Sequence, residues 1–194
     1  MTTLETNRLL LRAWEEKDAP DLNEYAANPL MSDMVGWSAH KNMEETEAVL
    51  ADFRRNGELF AIVLKETGKV IGSIGFYHRD PEDSTVLLPH RELAFALSPD
   101  YREEGLAQEA VDESAKYAFE ELGLGVLWCG HDVDDPFSPQ VLDDCGFTFR
   151  FEHRVKRAFS AEKRMKYYYA LTRQTYLADR QGEDGIESLI TTMF

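Results

Sequence analysis

Residues 91–107 of this chain read RELAFALSPDYREEGLA, and this stretch decides the fold. Its first part, Arg91–Leu97, is a short and largely apolar run of the kind that forms a buried strand. Gly105 follows, and it opens an amphipathic pattern that continues to Leu122 with apolar residues on one face and charged residues on the other. The sequence therefore predicts a strand that turns through glycine into a helix.

A turn of this kind suits an anion. The first backbone N–H groups of an α-helix have no partner inside the helix, and they lie at the positive end of the helix dipole. They point at whatever occupies the turn, and a pyrophosphate group is a natural ligand there. The predicted loop consists of Arg102, Glu103, Glu104, Gly105, Leu106 and Ala107.

The loop resembles motif A of the GNAT superfamily of N-acetyltransferases. In that family a Gln/Arg-x-x-Gly-x-Gly/Ala loop holds the pyrophosphate of coenzyme A. Here Arg102, Gly105 and Ala107 fill the three defining positions. The resemblance implies an acetyl-CoA-dependent N-acetyltransferase, which is an acyltransferase acting on an amine.

Further matches follow in the order in which the family has them. Thr6–Arg12 resembles the opening of the RimJ/RimL-like branch, and Val70–Gly75 resembles its glycine-bearing strand. Asp135–Phe147 is similar to the family's Asn-x-x-Ser…Gly-Phe run. Together these matches span residues 6–175, so the resemblance covers most of the chain.

The elements expected from the pattern alternate between helices and strands. Apolar periodicity, glycine and proline give helices at Asp18–Asn28, Met43–Arg55, Gly105–Leu122 and Pro136–Cys145. Strands are expected at Arg8–Trp14, Leu59–Lys65, Lys69–His78, Arg91–Leu97, Val126–Val133, Phe147–Val155 and Met165–Leu171. The loops Leu30–Lys41 and Arg79–His90 are expected to set the specificity for the acceptor.

These elements predict a mixed α/β sheet with helices on both faces. The resemblance implies an α+β fold whose central sheet is mostly antiparallel and splayed in the middle, where the strands Arg91–Leu97 and Val126–Val133 part to admit the cofactor. One acetyltransferase domain is expected over residues 1–177. A tail of residues 178–194 follows, and its apolar end, Ile186–Phe194, either docks as a short helix or frays.

The predicted reaction needs a general base, because an amine attacks a thioester only in its neutral form. Glu92 is the candidate, since it lies among apolar neighbours at the start of the strand before the loop. Members of the branch often have Glu at the matching position. The competing interpretation is a structural ion pair with Arg91 or Arg12, and His90 is an auxiliary candidate for the base.

The thiolate of coenzyme A leaves more easily when a group donates a proton or a hydrogen bond to it. Ser138 matches the serine of the family's Asn-x-x-Ser, which often has this role. The competing interpretation is that Ser138 only caps a helix. Tyr167, Tyr168 and Tyr169 are alternative donors, although tyrosines in a late strand more often serve packing.

The resemblance also implies which residues hold the cofactor, and this chain departs from the family pattern at two places. Glu103 and Glu104 stand where the family commonly has small or basic residues, and Asp135 stands where it has Asn and cannot donate an amide N–H. Repulsion is on the order of 1 kcal/mol per close charge pair, against roughly 1.5–3 kcal/mol for each charge-assisted hydrogen bond, so weakened binding is expected. The predicted contacts with acetyl-CoA are Ala96, Leu97, Arg102, Glu103, Glu104, Gly105, Leu106, Ala107, Asp135 and Ser138.

Charge and composition exclude several classes of protein. The formal net charge is −15, from 36 acidic and 21 basic residues, which argues against a protein that binds nucleic acid. This charge would either attract a cationic acceptor or only keep the protein soluble. The cationic run Arg150–Arg164 either touches the 3′-phosphate of coenzyme A or a partner, or is a solvated sheet edge. No apolar run approaches the ~20 residues that span a membrane, and a cytoplasmic protein is expected. Cys129 and Cys145 predict reduced thiols without a disulfide, and no metal site is expected.

The sequence leaves three functions open. The first is an N-acetyltransferase for a primary amine, in particular the amino terminus of a protein. The second is an acetyltransferase for a small cationic amine such as a polyamine or an aminoglycoside. The third is a non-catalytic module that binds acyl-CoA. Whether the protein is a monomer or a homodimer also stays open.

Overall fold

The fold is built on one sheet, seen in a computed structural model that describes residues 2–29, 31, 38–79, 87–156 and 163–180. The strands are β1 (Leu4–Glu5), β2 (Leu9–Arg12), β3 (Leu59–Leu64), β4 (Val70–Tyr77), β5 (His90–Leu97), β6 (Val126–Asp132), β7 (Thr148–Lys156) and β8 (Lys163–Thr172). They lie in the order β1-β2-β3-β4-β5-β6-β8-β7. Every neighbouring pair is antiparallel except β5 and β6. The predicted mixed and mostly antiparallel sheet is therefore confirmed.

The sheet opens between its two parallel strands. Pairing of β5 with β6 runs from His90 opposite Val126 to Leu93 opposite Cys129. Beyond that point these two strands, which are described over their whole length, share no further residue pair. A cleft therefore lies between the last residues of β5 and the last residues of β6, as the predicted splay requires.

Helices cover both faces of the sheet. The described residues include the helices α1 (Ala19–Ala26), α2 (Met43–Asn56), α3 (Leu106–Lys116), α4 (Ser138–Asp144) and α5 (residues 173–180). One core lies under α1 and α2 and includes Leu22, Tyr25, Leu50, Val63, Val70 and Ala96. The larger core lies on the other face, under α3, α4 and α5, and includes Leu93, Leu97, Leu106, Val111, Leu127, Leu142 and Tyr176.

Local signals account for the ends of α2. The side chain of Asn42 accepts a hydrogen bond from the backbone N–H of Glu45 at 2.9 Å, which satisfies one of the free donors of the first turn. At the other end Gly57 has a φ of 65°, the left-handed conformation that ends many helices. The predicted helix Met43–Arg55 is therefore confirmed with one further residue.

The carboxyl-terminal helix differs from the prediction. It spans residues 173–180 and so crosses the expected domain boundary at residue 177. Its Tyr176 packs against Phe119 with 5.0 Å between the ring centroids, and the Tyr176 hydroxyl donates to Glu120 at 2.7 Å. The division at residue 177 stays a prediction. The predicted apolar end Ile186–Phe194 lies outside the described residues, as do residues 30, 32–37 and 80–86 of the two predicted specificity loops.

Candidate active site

The strand β5 forms one wall of the cleft and presents Glu92. Side chains alternate along a strand, so Glu92, Ala94 and Ala96 share the face toward α1 and α2. Glu92 is 5% exposed. It lies opposite Tyr77 of β4 and Trp128 of β6, so the three side chains form one row across the sheet beside the opening.

The carboxylate of Glu92 has no partner within the described residues. Arg12, one of the cations proposed to pair with it, instead forms a bidentate contact with Asp18 at 2.7 and 2.9 Å. The other, Arg91, donates to the backbone oxygen of His90 at 2.8 Å. The interpretation of Glu92 as half of a structural ion pair with Arg91 or Arg12 is therefore wrong. An unpaired carboxylate at this position is available to accept a proton from a substrate.

Tyr77 lies beside Glu92 and stays neutral. Burial raises the pKa of its hydroxyl, and the nearby Arg79 opposes that shift, while the charges of Glu58 and Glu92 add to it. The guanidinium of Arg79 lies 4.6 Å from the centre of the Tyr77 ring. A neutral phenol can donate a hydrogen bond, so the row contains an acceptor, Glu92, and a donor next to it.

The turn after β5 has the geometry that suits an anion. A 3-10 turn, Pro99–Glu104, leads to Gly105, which has a φ of 70°. This left-handed conformation is strained for any residue with a side chain, so glycine is required here. The first backbone N–H groups of the 11-residue helix α3 follow immediately. The strand–glycine–helix prediction is confirmed.

The two glutamates of the loop are both exposed to water. Their carboxylates therefore need not face an anion bound at the backbone N–H groups. A cation lies at the same place: Arg8 donates to the backbone oxygen of Glu104 at 2.8 Å and bonds the carboxylate of Glu109 at 2.6 Å. Arg8, the residue before β2, was not among the predicted site residues, because nothing local in the sequence brings it next to Glu104, which lies 96 residues away.

The cleft itself brings together five of the predicted cofactor residues: Ala96, Leu97, Arg102, Asp135 and Ser138. Phe95 and Phe137, which were not predicted, complete its lining. The first three residues come from the end of β5 and the turn after it, and the last two from the start of α4. The remaining predicted residues, Glu103 to Ala107, form the loop beside the cleft.

Arg102 reaches across the cleft. Its Nε donates to the backbone oxygen of Leu97 at 3.1 Å, and its guanidinium lies 5.0 Å from the centre of the Phe137 ring. Burial lowers the pKa of the guanidinium, and the charge of Asp135 opposes that shift. Arg102 therefore links the end of β5 to the start of α4 and keeps its charge inside the cleft.

The wall opposite β5 is organised by Asp135. Its Oδ1 accepts the backbone N–H groups of Phe137 at 2.9 Å and of Ser138 at 3.3 Å, and its Oδ2 accepts the Ser138 hydroxyl at 2.5 Å. The interpretation that Ser138 caps the helix is therefore wrong, because Asp135 satisfies the first donors of α4 and Ser138 is the first helical residue. The Ser138 hydroxyl donates in this bond, so its hydrogen points at Asp135.

The three consecutive tyrosines of β8 separate onto two faces. Tyr167 and Tyr169 lie against the ring of His131, on the face away from Glu92. Tyr168 lies on the Glu92 face, because it pairs with Gly130, and a Cβ on Gly130 would come within 2.7 Å of its ring. Of the three proposed alternative donors, Tyr168 shares the face of Glu92.

The described residues carry neither a cluster of metal-ligating side chains nor a membrane-spanning helix. Within the described residues, no group of three or more His, Cys, Asp or Glu side chains is arranged to hold a metal ion. Cys129 and Cys145 are free thiols, and burial raises the pKa of both. His131 is buried near the end of β6, and its Nδ1 lies 2.9 Å from the backbone oxygen of Asp132. None of the helices in the described ranges has the length and apolar character needed to cross a membrane.

Comparison with known proteins gives consistent matches. A family model described as an acetyltransferase (GNAT) domain matches residues 8–148. The uncharacterised N-acetyltransferase p20 of Bacillus licheniformis is 28% identical over 152 residues, which are 76% of this chain and 83% of that protein.

Two solved structures from Vibrio cholerae have the same fold. One, described as a ribosomal-protein-serine acetyltransferase, superimposes with a TM-score of 0.73 and 20% identity over 88% of this chain and 97% of the other. The second is a spermidine N-acetyltransferase in complex with CoA and spermine. It gives a TM-score of 0.70 and 16% identity over 89% of this chain and 99% of the other.

Proposed function

The chain belongs to the acetyltransferase (GNAT) domain family, and on this premise we propose that it transfers the acetyl group of acetyl-CoA to the terminal amine of a protein. The observation that carries the proposal is that two features lie along one strand, β5, and the turn after it. The unpaired carboxylate of Glu92 lies near the start of β5, and the glycine turn suited to a pyrophosphate follows its end. Base and anion site thus flank one cleft.

Glu92 is the proposed general base. It accepts the proton of the attacking amine, directly or through one water molecule, so that the nitrogen lone pair is free to attack the thioester carbon. A C–N bond forms and the C–S bond breaks, and the sulfur leaves as a thiolate. Ser138 is the proposed hydrogen-bond donor to that thiolate, which requires its hydroxyl to turn away from Asp135.

The chain's own groups fit acetyl-CoA as a substrate. Backbone N–H groups at Gly105, Leu106 and Ala107 are the proposed donors to the pyrophosphate, and the guanidinium of Arg8 adds positive charge behind the loop. Ala96 and Leu97 offer the backbone of β5 beyond its last pair with β6. The proposed reaction uses no metal ion.

A small cationic amine is the second candidate acceptor. The net charge of −15 favours it, and one structural neighbour is a spermidine N-acetyltransferase. The non-catalytic alternative is less well supported than it was from sequence alone. Glu103 and Glu104 are exposed, and the carboxylate of Asp135 is used by the start of α4, so none of the three residues that motivated it blocks the cleft. A cytoplasmic location stays a prediction.

The test follows thiol release from acetyl-CoA in the presence of single amines. The panel contains peptides with a free amino terminus, the same peptides with a blocked amino terminus, spermidine and an aminoglycoside. Release with free peptides and not with blocked ones supports the proposal, and release with spermidine alone selects the second candidate. Binding of acetyl-CoA without release of thiol for any amine would support the third function, a non-catalytic module that binds acyl-CoA.

A further inference from the structure

Trp128 lies directly opposite Glu92, on the neighbouring strand of the sheet. Residues that pair in this way share one face, and neighbouring strands lie about 4.8 Å apart. The indole ring packs against Phe151, with 5.9 Å between the ring centroids. Trp128 is 6% exposed, so it and Glu92 are buried side by side next to the opening of the sheet.

The indole N–H of Trp128 is buried, and it has no hydrogen-bond acceptor among the residues that the structure describes. Glu92 has no donor within the same residues, and the two groups do not bond each other. An indole nitrogen can only donate, whereas the carboxylate of a general base accepts. Because it is unfavourable to bury either group without a partner, both point to a third group that accepts from Trp128 and donates to Glu92.

A water molecule meets both needs and has room at this place. Two hydrogen bonds of about 2.9 Å each let one water join polar atoms that lie up to roughly 6 Å apart. The next residue on this face of β5 is Ala94, which has only a methyl side chain and is half-buried, and the pairing of β5 with β6 has ended there. The ring of Tyr168 covers Gly130 on β6, so the room for the water lies on the side of β5.

We infer that Trp128 is a positioning residue for the proposed reaction: its indole N–H holds the water molecule through which Glu92 removes the proton of the attacking amine. The water accepts the indole N–H with one lone pair and takes the proton of the amine with the other, as it gives one of its own protons to Glu92. The water is unchanged at the end, and the C–N bond forms and the C–S bond breaks as proposed above. The inference rests on the proposed function and selects transfer through water over direct transfer.

The test compares Trp128→Phe with Trp14→Phe. Trp14 is a matched control, because its indole N–H is also buried without a partner in the described part of the chain and because it follows β2, which lies three strands from β5. Trp128→Phe keeps an aromatic ring and removes the donor, so kcat is expected to fall about tenfold while the KM for acetyl-CoA stays the same. Trp14→Phe should keep the wild-type kcat.

Two further measurements separate positioning from packing. Because Trp128 acts through Glu92, adding Trp128→Phe to Glu92→Gln should slow turnover no further. In the wild type, a nuclear Overhauser cross-peak is expected between the indole N–H of Trp128 and a long-lived water molecule. This second measurement decides the matter if Trp128→Phe does not fold.

A wild-type kcat in Trp128→Phe, an equal loss in Trp14→Phe, a full further loss in the double variant, or the absence of the water cross-peak would each overturn the inference and leave the proposed function intact. If the wild type released no thiol from acetyl-CoA with any amine, the proposed function and the role of Trp128 would be overturned together, whether or not the water is detected.

Discussion

Asp135 lines the cleft and Glu92 lies on β5, the strand whose end forms the other wall, and both side chains are more than nine-tenths buried, with 7% and 5% exposure. Asp135 accepts three hydrogen bonds, all within the start of α4. Glu92 accepts none from any residue in the described part of the chain. Because burying an unpaired carboxylate is destabilising, the fold explains Asp135 but not Glu92. Similar burial thus has a structural explanation at Asp135, whereas at Glu92 it is explained by the proposed role as general base.

The sharpest test of this contrast is Glu92→Gln. The amide keeps the shape of the side chain but cannot accept the proton of the amine, so turnover should fall by about 10²–10⁴-fold. The midpoint of thermal unfolding should stay the same or rise, because the group that is replaced is buried and accepts no hydrogen bond from the described residues. Thiol release and thermal unfolding are the measurements. Turnover at the wild-type level would remove Glu92 from the mechanism.

The proposed anion site in the turn beside the cleft is tested with Gly105→Val. Ligand at 100 times its Kd stabilises a protein by about 2.7 kcal/mol, and this gain with acetyl-CoA should be lost in the variant. Gly57→Val is the matched control, since Gly57 has a φ of 65° and a Cβ there would meet no atom within 4 Å. Both variants should lose stability from backbone strain. If Gly105→Val kept the full response to acetyl-CoA, the loop would not be the binding site.

Glu109 extends the contrast to a third carboxylate, one that is bonded like Asp135. Burial acts to raise its pKa, but hydrogen bonds from Thr6 and Arg8 outweigh burial and hold the pKa below its ordinary value of 4.5. Glu109→Gln should therefore lower the free energy of unfolding by about 1.5–3 kcal/mol at pH 7. The measurement is unfolding in denaturant.

The pH dependence of the Glu109 effect has a defined sign. A lowered pKa in the folded state stabilises the protein above the ordinary value, and this stabilisation is lost as the pH falls below 4.5 toward the folded-state pKa. The difference between wild type and Glu109→Gln should shrink in that range. The exposed Glu47 on α2 provides a control, Glu47→Gln, that should change little at either pH. A difference that grew on acidification would contradict the assignment.

The smallest expected effect belongs to Asp135→Ala. Loss of the contacts that start α4 should lower the free energy of unfolding by about 0.5–2 kcal/mol, the usual range for a helix cap. Ser138→Ala removes one of these contacts and should have the smaller effect on stability. Unfolding in denaturant distinguishes the two. A collapse in turnover for Asp135→Ala at normal stability would place Asp135 in the chemistry and end the contrast with Glu92.

What could be predicted from the sequence was determined by local signals. Gly105 and the helical periodicity after it predicted the turn, and apolar periodicity predicted the helix Met43–Arg55, which α2 confirms and Gly57 ends. Helix 173–180 was missed, although the Thr172 hydroxyl accepts the backbone N–H of Thr175 at 3.1 Å in a recognisable cap. The cap alone is a weak signal when few apolar residues follow it.

Other features depend on contacts between distant parts of the chain. The sequence does not show that Arg8 reaches Glu104, that Arg102 turns into the cleft, or that Trp128 lies opposite Glu92. The bond from Ser138 to Asp135 spans three residues, yet it was not predicted because a capping serine and a capped serine give the same sequence pattern. Register and side-chain direction, which the sequence leaves open, decide these contacts.

The four residue pairs that join β5 to β6 also bear on how the molecule folds. Strands β3, β4 and β5 are linked to their neighbours in chain order and pair antiparallel, and β7 pairs directly with β8. Joining β5 to β6 requires the whole of α3 to be placed first, because parallel strands need a long crossover connection. Contacts that close longer loops form more slowly. The cleft is therefore not part of the hairpins that close short loops, and the protein can hold its substrates only after the crossover from β5 through α3 to β6 has closed.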